Sequence, residues 1–381
     1  MNEDPSHNNE ELKAAEDLRK QLQEREGAIK PVGDVQKWFE SDSGILSELA
    51  TETLGEAHYE SIVEDLRTSV AATELVSPYD EPLTRTIMKS LCEEVEGACR
   101  ELEIPLRSGV AYGTTPSMGT EAARYSVFFT EASIITFSLG FISFCSHASK
   151  LIAMSLPHKP AHNGFHVLFD VDDVFEHINA TSDLKRKWTE LIGAYAFGSG
   201  PTIVPSPPIS GAPALTRIQL LAAMERFAIA HEYAHHIADD GKRDVVSAQP
   251  DELGKIEEHG ADFFAVRICR YLDAKVAVRN FHLMSGTGAV LLLKCLECVR
   301  RARQILLQGD DVASAPQNHP ETSARILAFD LIDEFLSEPN YEVFRRARNR
   351  FSMIIDRLWN GLRPLYLKMH ESGLRPIVER K

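Results

Sequence analysis

The sequence is short of cysteine and of positive charge, and its first residues lack the layout of a signal peptide. Six cysteines in 381 residues, most of them among apolar residues of predicted helices, indicate reduced, buried thiols. The polar start, MNEDPSHNNEELK, has neither the basic nor the apolar region that a secretory signal requires. These absences predict a cytoplasmic protein.

The shortage of positive charge also excludes a class of partner. The chain has 41 Lys and Arg against 56 Asp and Glu, a formal net charge of −15, which argues against general affinity for nucleic acid. Residues 341–381 are the exception, with ten Lys and Arg against four Asp and Glu. We predict that this basic amphipathic tail is helical and docks on the acidic body; the alternative is contact with an acidic partner or a membrane surface.

One stretch, from Val127 to Cys145, is apolar enough to raise the question of a membrane span. Glu131 interrupts it, several positions are serine or threonine, and Lys150 follows closely. We therefore predict a strand that turns into a buried helix, and no integral membrane span.

The sequence does contain an HExxH motif, at His231-Glu232-Tyr233-Ala234-His235. Residues 215–238 are predicted to form one long helix, because apolar residues recur at helical spacing and no glycine or proline interrupts them. His231 and His235 then lie side by side on one face, where both imidazoles could hold one zinc ion. Glu232 stands where a general base for a metal-activated water is expected.

A catalytic zinc site usually has three protein ligands and an open position for water. In the glutamate-type zinc peptidases, the gluzincins, a second helix supplies the third ligand in an ExxAD pattern, and Glu258, Ala261 and Asp262 match it here. Asp262 could accept the second imidazole N–H of a ligand histidine and fix its tautomer. Glu257 could replace Glu258 only if this helix were rotated. We predict one zinc ion per chain.

A third match, His319-Pro320 with Arg325-Ile326, completes an order of motifs that resembles a known family. HExxH, ExxAD and HPxxxxRI, in this order, are similar to the gluzincins of the CAAX-prenyl-protease and heat-shock-membrane-protease type. The resemblance implies that His319 and Arg325 help to hold the substrate or the developing oxyanion. A plain helix N-terminus, with Pro320 in its first turn, is the alternative explanation of these residues.

The resemblance also implies a sheet edge above the zinc cleft, to which an extended substrate pairs through backbone hydrogen bonds. The candidate for this edge is the β-rich stretch just before a predicted helix. Its residues are Ser133, Ile134, Ile135, Thr136, Phe137 and Ser138.

The expected fold is α+β and mostly helical, a zincin-like catalytic domain whose small sheet has an edge strand beside the HExxH helix. Residues 1–33 are predicted to be a charged segment, either a solvated helix or disordered, and residues 34–80 a helical extension. The catalytic domain covers residues 81–340, with an insertion at about 157–214 where the resemblance fails. The tail at 341–381 follows.

The remaining patterns are assigned to structure rather than to chemistry. Residues 165–175, FHVLFDVDDVF, are predicted to be a strand with acidic residues, and residues 184–195 a helix. A Pro/Gly/Ser-rich loop at 197–213 could cover the cleft. Cys295 and Cys298 form a CxxC motif within the apolar run VLLLKCLECV, which favours core packing.

Taken together, these residues predict a zinc-dependent metalloendopeptidase that acts on a restricted intracellular protein or peptide substrate. His231, His235 and Glu258 would hold the zinc, and Glu232 would be the general base. His319 or Arg325 would meet the oxyanion. The alternative is a catalytically inactive or structural zinc protein that acts as a partner-binding module.

Overall fold

The computed structural model describes residues 5–25, 59–162, 164–181, 183–198, 200, 209–238, 250–311 and 320–377. These residues form a mostly helical chain with two small sheets, one of three strands and one of two strands. The helices are α1 (Pro5–Arg25), α2 (Tyr59–Ala71), α3 (Pro82–Glu101), α4 (Leu139–Ser155), α5 (Val171–Ala180), α6 (Leu184–Phe197), α7 (Ala212–Ile237), α8 (Pro250–Lys275), α9 (Phe281–Met284), α10 (Thr287–Gln308), α11 (Thr322–Phe335) and α12 (Tyr341–Glu371). The strands are β1 (Val110–Thr115), β2 (Ala122–Ser126), β3 (Ser133–Ser138), β4 (His158–Ala161) and β5 (Gly164–Val167).

The larger sheet has the order β1-β3-β2, with β3 parallel to β1 and antiparallel to β2. The prediction that residues 133–138 form the edge strand is therefore wrong, because β3 is hydrogen-bonded on both sides. Every residue of β3 is buried, as expected of a strand covered on both faces, whereas β2 is mostly half-buried. Of the two edge strands of this sheet, β2 is the one that contacts α7.

The N-terminal helix α1 lies against this sheet: the helical alternative predicted for this segment holds for residues 5–25, but one face of the helix is buried rather than solvated. Arg19 is fully buried and forms a two-pronged ion pair with the buried Asp80, at 2.6 and 3.2 Å. Gln23 donates to the carbonyl oxygen of Thr114 in β1 at 2.7 Å. This contact could not be predicted from the charged composition of the segment, because two of the side chains that it buries, Arg19 and Gln23, are polar.

Helix α7, predicted at 215–238 and observed at 212–237, lies in the centre of the main core and packs against α3, α4, α8, α9 and α10. Its contact with α10 is especially close at one point. A Cβ atom at Gly288 would lie 2.5 Å from the Cβ of Ala223, so only glycine fits there without a shift. The cleft described below opens between the later turns of these two helices.

The basic tail folds as α12 and packs on α10, with Trp359 and Tyr366 inside the core. Its polar anchor is the buried Asp311, which follows α10. Asp311 accepts hydrogen bonds from Arg301 at 2.6 Å, from Arg363 at 2.8 Å and from the indole N–H of Trp359 at 3.2 Å. The apolar face of the tail is thus already covered by the protein itself.

The segment at 165–175 combines two structures rather than the single strand predicted. Strand β5 ends at Val167, and α5 begins at Val171 because the side chain of Asp170 accepts the backbone N–H of Asp172 at 3.0 Å and caps the helix. The helix predicted at 184–195 is confirmed as α6. Most of the Pro/Gly-rich loop at 197–213 lies outside the described residues.

Two further predictions concern the apolar interior. Cys295 and Cys298 are buried free thiols in α10, so the CxxC motif belongs to the core. Burial raises the pKa of Cys295 to about 12, which keeps it a thiol. Among the described helices, none combines the length and the apolar composition needed to cross a membrane.

The anchor at Asp311 leads to a pH-dependent prediction. Burial alone would raise the pKa of this carboxyl, but Arg363 and Arg301 outweigh it and hold the pKa below its ordinary value. Its charge therefore stabilises the fold above the unfolded pKa of about 3.9, and this contribution is lost as the pH falls through the folded value. We expect Asp311→Asn to lower the free energy of unfolding by about 1–3 kcal/mol at neutral pH.

Urea unfolding at a series of pH values checks this expectation. The difference between wild type and Asp311→Asn should narrow below about pH 4, where the wild-type carboxylate becomes protonated. Glu176→Gln, at an exposed position of α5, is the control and should change little. An equal loss of stability at all pH values would contradict the ion-pair explanation.

Candidate metal centre and its cleft

Three side chains from two helices converge on one point, and we call them the His–Glu triad: His231, His235 and Glu258. The Nε2 atoms of the two histidines are 3.2 Å apart. The Glu258 oxygens lie 3.4 Å from His231 Nε2 and 3.5 Å from His235 Nε2. Tetrahedral zinc with bonds of about 2.0–2.1 Å keeps its ligand atoms about 3.3–3.4 Å apart. The triad therefore could hold a metal ion with little movement.

The local sequence explains this convergence. His231 and His235 are one helical turn apart on α7, so both imidazoles leave the same face. Helix α8 packs along α7, and its Ala261 and Ala265 are fully buried, as small residues at a close helix contact are. This packing turns Glu258 toward the histidines, while Glu257 also lines the cleft without joining the triad.

Asp262 and Arg325 stand behind the triad. The Asp262 carboxylate is fully buried and lies 3.2 Å from His231 Nδ1, on the far side of that ring from Glu258. Arg325 donates to Asp262 at 2.6 and 2.8 Å, and its third nitrogen lies 3.2 Å from Glu258. Burial alone would raise the pKa of Asp262, but Arg325 holds it below its ordinary value.

Arg325 is thus brought to the site, but all three of its guanidinium nitrogens face carboxylates. This arrangement suits a group that orients Glu258 and Asp262 better than one that waits for an oxyanion. The other predicted oxyanion partner, His319, lies outside the described residues.

Glu232 follows the first histidine and lines the cleft with only 8% of its surface exposed. Burial raises the pKa of its carboxyl above the ordinary value, and the charges of His231 and His235 partly oppose this effect. A carboxyl group that faces a cleft and is largely removed from bulk water is suited to accepting and returning a proton.

The cleft in front of the triad has a volume of about 790 Å³, in the range of pockets that bind ligands. Strand β2 forms one side of it, α7 and α8 form the floor, and α10 forms the opposite side. The α10 side consists of Leu292, Leu293, Leu296 and Arg300. Leu292 belongs to the main core, and Leu293 and Leu296 pack against it, as the apolar run predicted. The four-residue spacing of Leu292, Leu296 and Arg300 was the available signal for a face that changes from apolar to charged.

Strand β2 turns the backbone edge that faces away from β3 toward the described part of the cleft. The backbone N–H of Val127 donates to the oxygen of Ala132, and that of Ser138 donates to Glu121, which sets the alternation of the ladder with β3. The backbone N–H and C=O groups of the residues between these bonding positions point away from β3. These residues are Ala122, Arg124 and Ser126, and all three line the cleft.

The remaining histidine of the motif helix has a structural role. His236 is fully buried, with one ring nitrogen 2.8 Å from Ser133 Oγ and the other 2.8 Å from the carbonyl oxygen of Leu106. It ties α7 to the central strand and to the loop before β1. The residues of β3 itself do not line the cleft, because β2 lies between them and the open space.

Comparisons with known proteins identify no relative. A scan against protein-family models matched none, and searches of the curated proteins and of the solved structures found no match. Any functional assignment therefore depends on the chemistry of the site.

The triad predicts a metal content that can be measured. We expect about one zinc ion per chain in the purified wild-type protein and little in His235→Ala or Glu258→Ala, because two ligands are too few for tight binding. Elemental analysis beside the protein concentration gives the ratio. His259→Gln, next to Glu258 but outside the triad, is the control and should keep its metal. Equal zinc in wild type and in both triad variants would show that the ion is bound elsewhere.

Proposed function

We propose that the protein is a zinc-dependent metalloendopeptidase of the gluzincin type, with a zincin-like catalytic domain. The observation that carries the proposal is the convergence of two helical histidines and Glu258 at tetrahedral spacing, with Glu232 beside them in an open cleft. The order of the three motifs supports it independently, since it resembles that family along the chain.

The charges of the site fit a divalent ion. Glu232, Glu258 and Asp262 carry three negative charges when ionised, and Arg325 supplies one positive charge among them. Two more positive charges balance the group, and a buried group of charges needs that balance. Bound zinc would supply them, polarise the peptide carbonyl and lower the pKa of a water molecule toward neutrality.

The chain's own residues then move the proton. Glu232 accepts a proton from the attacking water as the peptide carbonyl carbon is attacked, and delivers it to the leaving amine nitrogen. Asp262 accepts the Nδ1–H of His231, which fixes the tautomer whose Nε2 is free for the metal. Arg325 holds Asp262 and Glu258 in place and is a positioning residue rather than the oxyanion partner.

The alternative is a zinc site that only supports a binding module. A structural site is closed by four protein ligands and has no use for a base. The three-residue triad, the neighbouring Glu232 and the open cleft favour catalysis. The triad does not identify the substrate, and we propose a restricted protein or peptide substrate that binds in extended form.

Replacing the base distinguishes the two functions. We expect Glu232→Gln to retain its zinc and to lose about 10²–10⁴-fold in turnover, because the amide cannot accept the proton. The assay is zinc-dependent cleavage of a degenerate peptide library, followed by mass spectrometry.

Glu257→Gln is the matched control, an acidic residue of the same cleft outside the triad, and it should cleave nearly as well as wild type. Unchanged turnover in Glu232→Gln would rule out the proposed base. A wild-type protein that binds zinc and leaves every library peptide intact would support the binding module.

The edge of β2 that faces away from β3 is the proposed site for the substrate backbone, in place of the strand predicted from the sequence. An extended peptide beside it would pair with the outward N–H and C=O groups at Ala122, Arg124 and Ser126. Ala122→Pro removes one outward N–H without breaking a bond to β3. We expect KM for library-derived peptides to rise by about three- to tenfold, the effect of one lost hydrogen bond.

Ala122→Val is the control for Ala122→Pro, because it enlarges the side chain and keeps the backbone N–H. A rise in KM for the valine variant equal to that for the proline variant would assign the effect to side-chain crowding. Circular dichroism should show that both variants keep the wild-type fold.

A further inference from the structure

The side of the cleft opposite β2 changes character along a single helix. Leu292, Leu296 and Arg300 are four residues apart on α10, so they share one face and follow each other at about 6 Å per step. All three line the cleft. A substrate in the cleft therefore meets an apolar surface that ends at a guanidinium group.

Arg300 differs from the other arginines of its helix. Arg301 donates to Asp311 at 2.6 Å, and Arg303 donates to the carbonyl oxygen of Ala196 at 3.5 Å. Arg300 is half-buried, and within the described ranges it has no hydrogen bond and no ion pair. No Arg300 nitrogen is among the buried side-chain atoms that lack a partner, so its guanidinium group reaches water and its five N–H donors can meet a ligand.

The available acceptor is one that enters the cleft. Arginine pairs best with a planar carboxylate, which can accept two parallel N–H bonds. The acidic groups already in the cleft lie on α7 and α8, where Arg325 and the two histidines are close to Glu258. An anionic group on the substrate would therefore meet its counter-charge at Arg300.

We propose that Arg300 selects substrates with a carboxylate two residues from a large apolar side chain, the apolar side chain packing on Leu292 and Leu296. The spacing supports this pairing: Leu296 and Arg300 are about 6 Å apart along α10, and alternate residues of an extended chain are about 6.6 Å apart on one face. The proposal rests on the proposed function, because it assumes that a peptide occupies the cleft. The carboxylate is an Asp or Glu side chain or the free C-terminus of the substrate.

The test measures binding, so it does not depend on turnover. Zinc-loaded Glu232→Gln protein is immobilised and equilibrated with a degenerate ten-residue peptide library that carries one fixed leucine, and the retained peptides are sequenced by mass spectrometry. We expect Asp and Glu to be enriched about five- to tenfold two residues from the leucine, the effect of one charge-assisted hydrogen bond pair. Parallel libraries with free and with amidated C-termini distinguish the two sources of the carboxylate.

The charge-reversed protein, Arg300→Glu in the same background, should prefer Lys and Arg at that position instead. Lys185→Glu makes the same change in net charge at an exposed position of α6 and should keep the acidic preference. No charge preference in the parent protein, an unchanged preference in Arg300→Glu, or no retained peptide would each overturn the proposal.

Comparing the wild type with Glu232→Gln shows whether a failure concerns the role of Arg300 or the proposed peptidase function. A wild-type protein that cleaves library peptides without regard to acidic residues is a peptidase in which Arg300 selects nothing. A Glu232→Gln protein that retains acidic peptides through Arg300, beside a wild type that cleaves none, is a peptide-binding module.

Discussion

Three carboxylates that water hardly reaches impose the main constraint on this structure. Glu232, Glu258 and Asp262 are almost completely buried within one group, and a buried charge is costly unless an opposite charge lies close. Arg325 supplies one positive charge among them, and a divalent ion would supply the two that complete the balance. The positions of α7, α8 and α11 follow from bringing these groups together, and the hydrophobic packing around α7 keeps them there.

Local patterns predicted the parts of the site that local geometry controls. The histidines lie together because four residues make about one helical turn, and that is readable in any sequence. Glu258 and Asp262 followed from a family pattern, and their register on α8 is the one that the pattern implies. The long apolar helices were equally readable from their periodicity.

Features that depend on distant partners were not readable. The β-rich composition of residues 133–138 is compatible with an edge strand over a cleft and with a central strand. Only the pairing with β1, on the side away from β2, shows that the strand is central. Helix α1 looked solvated because its buried groups include Arg19, whose partner Asp80 is 61 residues away. The position of Arg300 at the cleft could not be predicted, because it depends on the packing of α10 against distant elements rather than on the residues next to Arg300 in the sequence.

The close approach of Gly288 to Ala223 has a consequence for how such a cleft can diversify. Helices α7 and α10 are in close contact at Ala223 and Gly288, and later residues of both helices line the cleft. A larger side chain at either position would push the two helices apart at this contact. The width of the cleft, and with it the size of the ligand that fits, can therefore change through substitutions at Gly288 or Ala223, although neither residue belongs to the triad or takes part in proton transfer.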